Sequence, residues 1–392
     1  MKSFSIMIKP ASSLCDMRCG YCFYCDVAAS RKHASLGLMS FETATALIKN
    51  AFTEIIAGDH MTFAFQGGEP SLAGLNFFRF FVNEVKKYTP HGVTVDYAFQ
   101  TNGVNIDDEW CDFFSKNNFL VGLSLDGDSS IHNQNRLDKS GKGTFNKVME
   151  TKRKFDKTGV KYNILSVLTG ESARRAGRIW NFILNENIRH IQFIPCLGPI
   201  VSLREPLDDN SNSTHFPGTL KSAEVTNMSN TVRFPGTLTG KRFYRFYSDL
   251  FPLWKKEAKK GNMISIRLFE DLAALLLTNQ RVTCGISGRC MPQIIVEADG
   301  SVYPCDFYVL DEYKTGDFTR DTIREVFEAT VNSAFLVQKP QSLKYCENCN
   351  HKKWCMGGCK RMLDTVYGDP CGMRLFLDEH IDELLKIYSH AM

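Results

Sequence analysis

Short β-branched or aromatic runs alternate with longer amphipathic runs from the first residues to about Pro195. The pattern predicts strands at Ser3–Lys9, His60–Gln66, Val93–Gln100, Phe119–Leu125, Lys161–Leu168 and His190–Pro195. Between them, apolar positions three and four apart predict helices at Ser40–Ala57, Gly74–Tyr88, Asp107–Lys116, Thr144–Lys157 and Ser172–Asn185, the first with Ser40 as its N-cap. A sixth helix around Lys241–Lys259 completes six βα units, and Pro252 inside it is expected to kink or divide it. Strict alternation implies a parallel sheet with right-handed crossovers. Six units do not close an eight-stranded barrel, so the expected fold is α/β, a partial (β/α)6 TIM-like barrel, with a doubly wound open sheet as the alternative.

Beyond the sixth strand the pattern changes twice. Leu197–Lys241 is rich in Ser, Asn, Thr, Gly and Pro and carries FPGTL twice, at Phe216–Leu220 and Phe234–Leu238, which reads as a surface insertion. After Arg281 the periodicity gives way to cysteines, short strands and turns, the texture of a small metal-stapled domain. The expected division is therefore a barrel over 1–240 with the insertion at about 198–240, bridging helices over 241–280 that complete the core, and a cysteine-rich extension over 281–392.

Hydrophobic content of 43% and charged content of 23% across 392 residues are those of an ordinary globular protein. The net charge of +4 is spread among interspersed cations and carboxylates, which gives no nucleic-acid surface. The N-terminus lacks the layout of a secretory signal and no stretch reaches the length of a membrane span, so the expectation is a cytoplasmic protein with no membrane partner. In a reducing compartment, dense cysteine argues for metal over disulfides.

Eleven of the fourteen cysteines fall into clusters whose spacings suit iron–sulfur ligation. The first, Cys15-x3-Cys19-x2-Cys22, has three members, whereas a [4Fe–4S] cube has four irons that each need an outer ligand. One iron is left open to bind a small molecule, which points to catalysis. Structural zinc is the rival reading and would recruit Cys25 as a fourth ligand. The later cysteines read Cys284-x5-Cys290, Cys305, then Cys346-x2-Cys349-x5-Cys355-x3-Cys359, and Cys371. Eight thiols suffice for two further cubes, and a zinc reading of Cys346–Cys359 by itself stays open.

The unusual residues sit where parallel α/β folds build their sites, at strand C-terminal ends. The cysteine loop follows the first strand, Gln66-Gly67-Gly68-Glu69-Pro70 the second, Gln100-Thr101-Asn102-Gly103 the third, Ser124-Leu125-Asp126-Gly127 the fourth and Cys196-Leu197 the sixth. Glycines after strands often serve only the turn. Two in succession followed by Glu-Pro also let backbone approach a ligand such as the amino group of an amino acid. The loop is not a Walker A motif, since the Lys-Ser/Thr ending is absent. Asp126 and His132 lie near the same mouth, and Cys111 is expected inside a helix as a small hydrophobe.

Cys15, Cys19 and Cys22 with Tyr21 between them, followed by the Gly-Gly-Glu-Pro loop, resemble the radical S-adenosylmethionine (SAM) superfamily. The later cysteines resemble its SPASM extension. The strings IKPASSLCDMRCGYCFYC, FAFQGGEPSLAGL, GLSLDG, QFIPCLGPI, VEADGSVYPCDFYVLD and CMGGCKR resemble, in order and context, the anaerobic sulfatase-maturating enzymes. The resemblance implies three [4Fe–4S] clusters and SAM as cofactors. It also implies oxidation of a Cys or Ser side chain of an unfolded or nascent sulfatase peptide to Cα-formylglycine, and a low-potential electron donor such as ferredoxin or flavodoxin. Residue by residue, it places Tyr21, Gly68, Ser124, Arg136 and Leu197 against SAM and makes Asp306 the general base. One auxiliary cluster falls to Cys284, Cys290, Cys305 and Cys359, the other to Cys346, Cys349, Cys355 and Cys371. Tyr24 and Gln66 are candidates to line the peptide pocket. The alternatives are another SPASM peptide modifier that forges thioether crosslinks and, from other classes, a non-catalytic iron–sulfur electron carrier or a zinc-stabilised binding module.

Overall fold

The computed structural model describes residues 2–200, 236–337 and 344–391. Most of the expected insertion, 201–235, with the first FPGTL copy and the first two residues of the second, lies outside the described residues. One ten-stranded sheet runs through the described chain: β1 (Ser3–Ile8), β2 (His60–Phe65), β3 (Thr94–Thr101), β4 (Leu120–Ser124), β5 (Lys161–Leu168), β6 (His190–Pro195), β7 (Ser265–Ile266), β8 (Ile294–Val296), β9 (Ser301–Tyr303) and β10 (Gly316–Asp317). The spatial order is β10-β9-β8-β1-β2-β3-β4-β5-β6-β7. Strands β1 to β6 are consecutive and parallel, as strict βα alternation requires. The sheet stays open because β1 gives its far edge to β8, in parallel register Ile6↔Ile294 to Ile8↔Val296, and not to β6.

Each crossover helix turns an apolar stripe onto the sheet. The helix Leu75–Tyr88 buries Phe77, Phe78, Phe81, Val82 and Val85, and Phe78 meets Phe65 and Phe99 edge-on at 5.0 and 5.1 Å between ring centroids. Each fully buried aromatic of this kind contributes roughly 1.5–3 kcal/mol through burial. Cys111 is fully buried in this core, on the helix Asp108–Lys116. Ser40 caps the helix Phe41–Ala51 by accepting from the Thr43 N–H. That helix ends at Ala51, short of the expected Ala57.

Two further expectations need correction. The helix expected from Ser172 begins at Ala176, because Ser172 and Thr169 exchange side chain to backbone hydrogen bonds of 2.9 and 3.0 Å that hold a separate 3-10 turn at Ser172–Arg174. Of the kink or division expected at Pro252, the division does not occur, since the helix runs unbroken over Gly240–Ala258. Its Phe246, Tyr247, Leu250, Phe251 and Trp254 are buried on both sides of the proline, and that packing outweighs one lost backbone bond.

The cysteine-rich extension does not stand apart from the sheet. Its β8–β9 hairpin is antiparallel, with Ile295 opposite Tyr303, and it delivers Cys305 and Asp306 beside the end of β1. Among the described residues no helix is long and apolar enough to cross a membrane.

Candidate active site at the carboxyl ends of the parallel strands

The loop after β1 is folded by its own backbone. Ser12 N–H donates to Lys9 O at 3.0 Å, Leu14 N–H to Ala11 O at 2.9 Å and Cys22 N–H to Cys19 O at 3.2 Å, while Met17 N–H donates to the Cys15 sulfur at 3.4 Å. The loop after β2 is welded to it: Gly68 N–H donates to Ser12 O at 2.9 Å and Glu69 N–H to Leu14 O at 2.8 Å. A Cβ on Gly68 would stand 2.0 Å from Leu14 O. The paired glycines are thus required by contact between two loops, whatever else approaches them. Glu69 is buried and accepts from Ser71 N–H at 3.1 Å, Thr101 Oγ1 at 2.9 Å and Asn102 N–H at 2.7 Å. Burial raises its carboxyl to about 7 against those donors. Asn102 Nδ2 returns to the cysteine loop, donating to Asp16 Oδ1 at 2.7 Å.

Tyr21 and Arg136 meet over one carboxylate. The buried Tyr21 hydroxyl donates to Asp126 Oδ2, Arg136 Nη2 donates to Asp126 Oδ1 at 3.2 Å, and the Arg136 guanidinium lies 5.5 Å from the Tyr21 ring centroid. Burial holds the Tyr21 phenol well above its ordinary value, with Arg136 opposing and Asp126 adding. Ser124 accepts from Gln100 Nε2 at 3.1 Å. Leu197 is buried, and the carbonyl of the next residue, Gly198, accepts from Arg361 Nη2 at 2.6 Å. His132 is a satisfied buried ring: its Nε2 is 3.0 Å from Thr144 Oγ1, whose hydroxyl donates to Arg136 O, and its Nδ1 accepts from Asp126 N–H at 3.4 Å.

Asp306 forms the second polar centre. Its Oδ2 accepts from the Tyr24 hydroxyl at 2.7 Å and from Gln66 Nε2 at 3.3 Å, and Gln66 Nε2 also donates to the Tyr24 oxygen at 2.7 Å. Lys9 Nζ lies 2.9 Å from Oδ1. Burial, then the Asp306 charge, hold the Tyr24 phenol well above its usual value. The family resemblance singles out Asp306, with Tyr24 and Gln66 as pocket candidates, and the sequence places Asp126 near the mouth, but neither points to Lys9 or to the hub role of Asp126. The signal for both was present, as charged residues inside the quoted strings IKPASS and GLSLDG.

The thiols gather in three sets. Cys15 and Cys19 are pushed up to about 12, first by burial, with a neighbouring thiol (Cys19 for Cys15, Cys22 for Cys19) and nearby carboxylates adding. Cys22 also neighbours Cys19, while Cys25 is exposed and hydrogen-bonded to Cys22. Cys359 lies within the electrostatic reach of Cys284 and Cys290, and Cys305 of Cys359 and Cys284. Cys346, Cys349, Cys355 and Cys371 line one small cavity with Tyr345 and Tyr367. Among the described residues no three side chains of metal-binding type converge around a single ion. Thiolates at the outer corners of a polynuclear cluster stand in that wider arrangement, so these all-cysteine sets fit iron–sulfur cubes. Coordination to a cluster would deprotonate thiols that burial alone keeps neutral.

The parallel sheet with a three-cysteine loop at its mouth defines a radical SAM protein, and residues 10–183 match the radical SAM superfamily while residues 289–350 match an iron–sulfur cluster-binding domain, SPASM. The chain is 42% identical over 378 residues to a cysteine-type anaerobic sulfatase-maturating enzyme of Clostridium novyi, covering 96% of this chain and 93% of the relative. It is 30% identical to a serine-type anaerobic sulfatase-maturating enzyme of Bacteroides thetaiotaomicron, covering 94% of this chain and 86% of that one. The solved structure of native anSMEcpe with bound AdoMet and a peptide superposes with a TM-score of 0.84 at 34% identity, over the whole of both chains. Streptococcus suis SuiB bound to precursor peptide SuiA shares the fold, with a TM-score of 0.60 at 15% identity over 92% of this chain and 73% of that one. The chain belongs to the anaerobic sulfatase-maturating enzyme family. Its cofactors are [4Fe–4S] clusters and SAM.

Proposed function

We propose that this protein oxidises a cysteine side chain of a sulfatase peptide to Cα-formylglycine. The relatives of higher identity carry the cysteine-type name, at 37–42%, and the serine-type ones stand at 27–30%, which favours cysteine as the target. When bound, SAM and the clusters supply the one-electron chemistry, a 5′-deoxyadenosyl radical that takes a Cβ hydrogen and an acceptor for the second electron.

The residues of the chain do the rest. Cys15, Cys19 and Cys22 hold the catalytic cluster, and the two later sets, Cys284, Cys290, Cys305 and Cys359, then Cys346, Cys349, Cys355 and Cys371, hold one auxiliary cluster each. Tyr21, Gly68, Ser124, Arg136 and Leu197 form the SAM side of the mouth. Asp306 takes the thiol proton, and Tyr24 and Gln66 orient that carboxylate at the wall of the peptide pocket. Loss of the S–H proton and one electron from the carbon radical leaves a thioaldehyde, which water converts to the aldehyde and hydrogen sulfide. The division into a barrel over 1–240, bridging helices over 241–280 and a cluster domain over 281–392 follows the same roles. A low-potential ferredoxin or flavodoxin suits the reductant.

The observation that carries this reading is Asp306, a nearly buried carboxylate adjacent to the thiol Cys305 and held by three polar side chains at the strand ends. The test is an anaerobic assay of the reconstituted, reduced enzyme with SAM and a cysteine-containing sulfatase-motif peptide, read by mass spectrometry. Loss of the thiol with gain of an aldehyde, alongside 5′-deoxyadenosine, is the expected result. Formation of 5′-deoxyadenosine with a thioether and no aldehyde would move the enzyme to crosslink chemistry. Absence of 5′-deoxyadenosine from a fully iron-loaded protein would leave an electron carrier.

A further inference from the structure

Lys9 stands at a seam between the two halves of the site. It directly follows β1, and its N–H donates to Val296 O of β8 at 2.7 Å. On one side its stem packs against the Gly-Gly loop, where a Cβ on Gly67 would lie 3.2 Å from both Cβ and Cγ of Lys9. On the other, its ammonium lies 2.9 Å from Asp306 Oδ1 and 4.5 Å from the Tyr24 ring centroid. Lys9 is 2% exposed.

A lysine so deeply buried is costly unless paired. Even paired, an ion pair of this kind brings little net stability over well-packed apolar residues of similar volume. The fold alone therefore gives no reason for a cation here. The carboxylate it touches does. Asp306 Oδ2 has two hydrogen-bond donors, whereas Oδ1 has none and is held by the Lys9 contact alone. Rotation about χ2 of an aspartate is broad and two-fold, so one anchored oxygen does not fix the other.

We propose that Lys9 is a positioning residue that pins the Oδ1 edge of Asp306, so that thiol deprotonation follows each Cβ hydrogen abstraction. This inference takes the base role of Asp306 as its premise. In the step concerned the S–H bond of the substrate radical breaks, an O–H bond forms on Asp306, one electron passes to an auxiliary iron–sulfur cluster and the C=S bond forms. A loosened carboxylate leaves hydrogen abstraction intact while deprotonation lags, so SAM cleavage and aldehyde formation separate.

The experiment counts aldehyde and 5′-deoxyadenosine in the same anaerobic reaction for wild-type, K9M, K9Q, K9R and D306N holoenzymes, with iron content as the loading control. Expected for K9M is full iron, continued SAM cleavage and an aldehyde to 5′-deoxyadenosine ratio lower by roughly 10- to 100-fold, the scale of a misplaced reacting group. K9R restores part of the ratio, and K9M/D306N is no worse than D306N alone, as expected for residues acting in one step. A wild-type ratio in K9M with a collapsed ratio in D306N overturns the Lys9 inference and leaves the base reading standing. A wild-type ratio in D306N overturns the base reading itself. If K9M loses iron, K9Q decides with its polar head of similar reach. Parallel loss of iron, SAM cleavage and aldehyde in both variants overturns the positioning role in favour of a structural one.

Discussion

Asp126 holds Arg136 by both of its carboxylate oxygens, with Nη2 at 3.2 Å from Oδ1 and Nε in ion contact with Oδ2 at 3.0 Å. The two side chains are 2% and 8% exposed. The same carboxylate accepts the Tyr21 hydroxyl and, at 2.9 Å, the Val167 N–H of β5. One anion therefore joins the cysteine loop, the segment after β4 and β5. Asp126→Asn keeps the shape but leaves a buried guanidinium unpaired, and removing one member of such a pair costs about 3–5 kcal/mol. Anaerobic denaturant unfolding checks this, and an unchanged midpoint would remove Asp126 from the role of hub.

Gly68 tests the weld between the first two loops. Its φ is ordinary, so the constraint is contact: an added methyl would meet the Leu14 carbonyl oxygen at 2.0 Å. Gly68→Ala is expected to push the Cys15 segment away and abolish SAM cleavage. Iron should fall by about four of about twelve per chain, since one cube of three is affected. Iron and acid-labile sulfide assays read this directly. Full iron with normal SAM cleavage would show that the loops yield to each other.

The six main strands were legible because buried parallel strands read as short apolar runs, and Lys161–Leu168 and His190–Pro195 fall at the predicted limits. The extension of the sheet was not. β8, β9 and β10 have three, three and two residues, too few to display a period. The same limit hid part of the site. Cysteine spacing is local and survives in the sequence, whereas the pairing of Lys9 with Asp306 depends on β8 docking against β1, a long-range event that no local pattern encodes. The double glycine was legible as a special loop, but its partner, the Leu14 carbonyl, appears only once β1 and β2 lie side by side.

His132 makes the mouth sensitive to acid. Burial lowers its imidazole from 6.5 to about 4, with Asp126 opposing and Arg136 adding. Between those values the unfolded chain binds a proton that the folded protein refuses, so the stability associated with the neutral ring is present above 6.5 and lost as pH falls toward about 4. The window corresponds to about 3 kcal/mol. His132→Asn keeps a donor and an acceptor without titrating. The stability difference between wild type and H132N should shrink by that amount from about pH 7 to about pH 4. Parallel pH profiles for the two proteins would mean that the ring takes up its proton without opening the fold.

Cys25 separates an iron–sulfur reading of the first cluster from a four-cysteine zinc site. Its thiol is exposed on the helix Phe23–Ala29 and bonds to Cys22, the third member of the motif. A tetrahedral zinc site needs a fourth protein ligand, and removing it opens the shell. A cube with one iron left to SAM needs only Cys15, Cys19 and Cys22. Cys25→Ser should therefore retain about twelve iron per chain, whereas Cys22→Ser should lose about four of them. SAM cleavage should persist in the first variant and vanish in the second. Zinc bound stoichiometrically by the wild type and lost from both variants alike would instead make Cys25 a ligand and remove the open coordination position on which the radical chemistry depends.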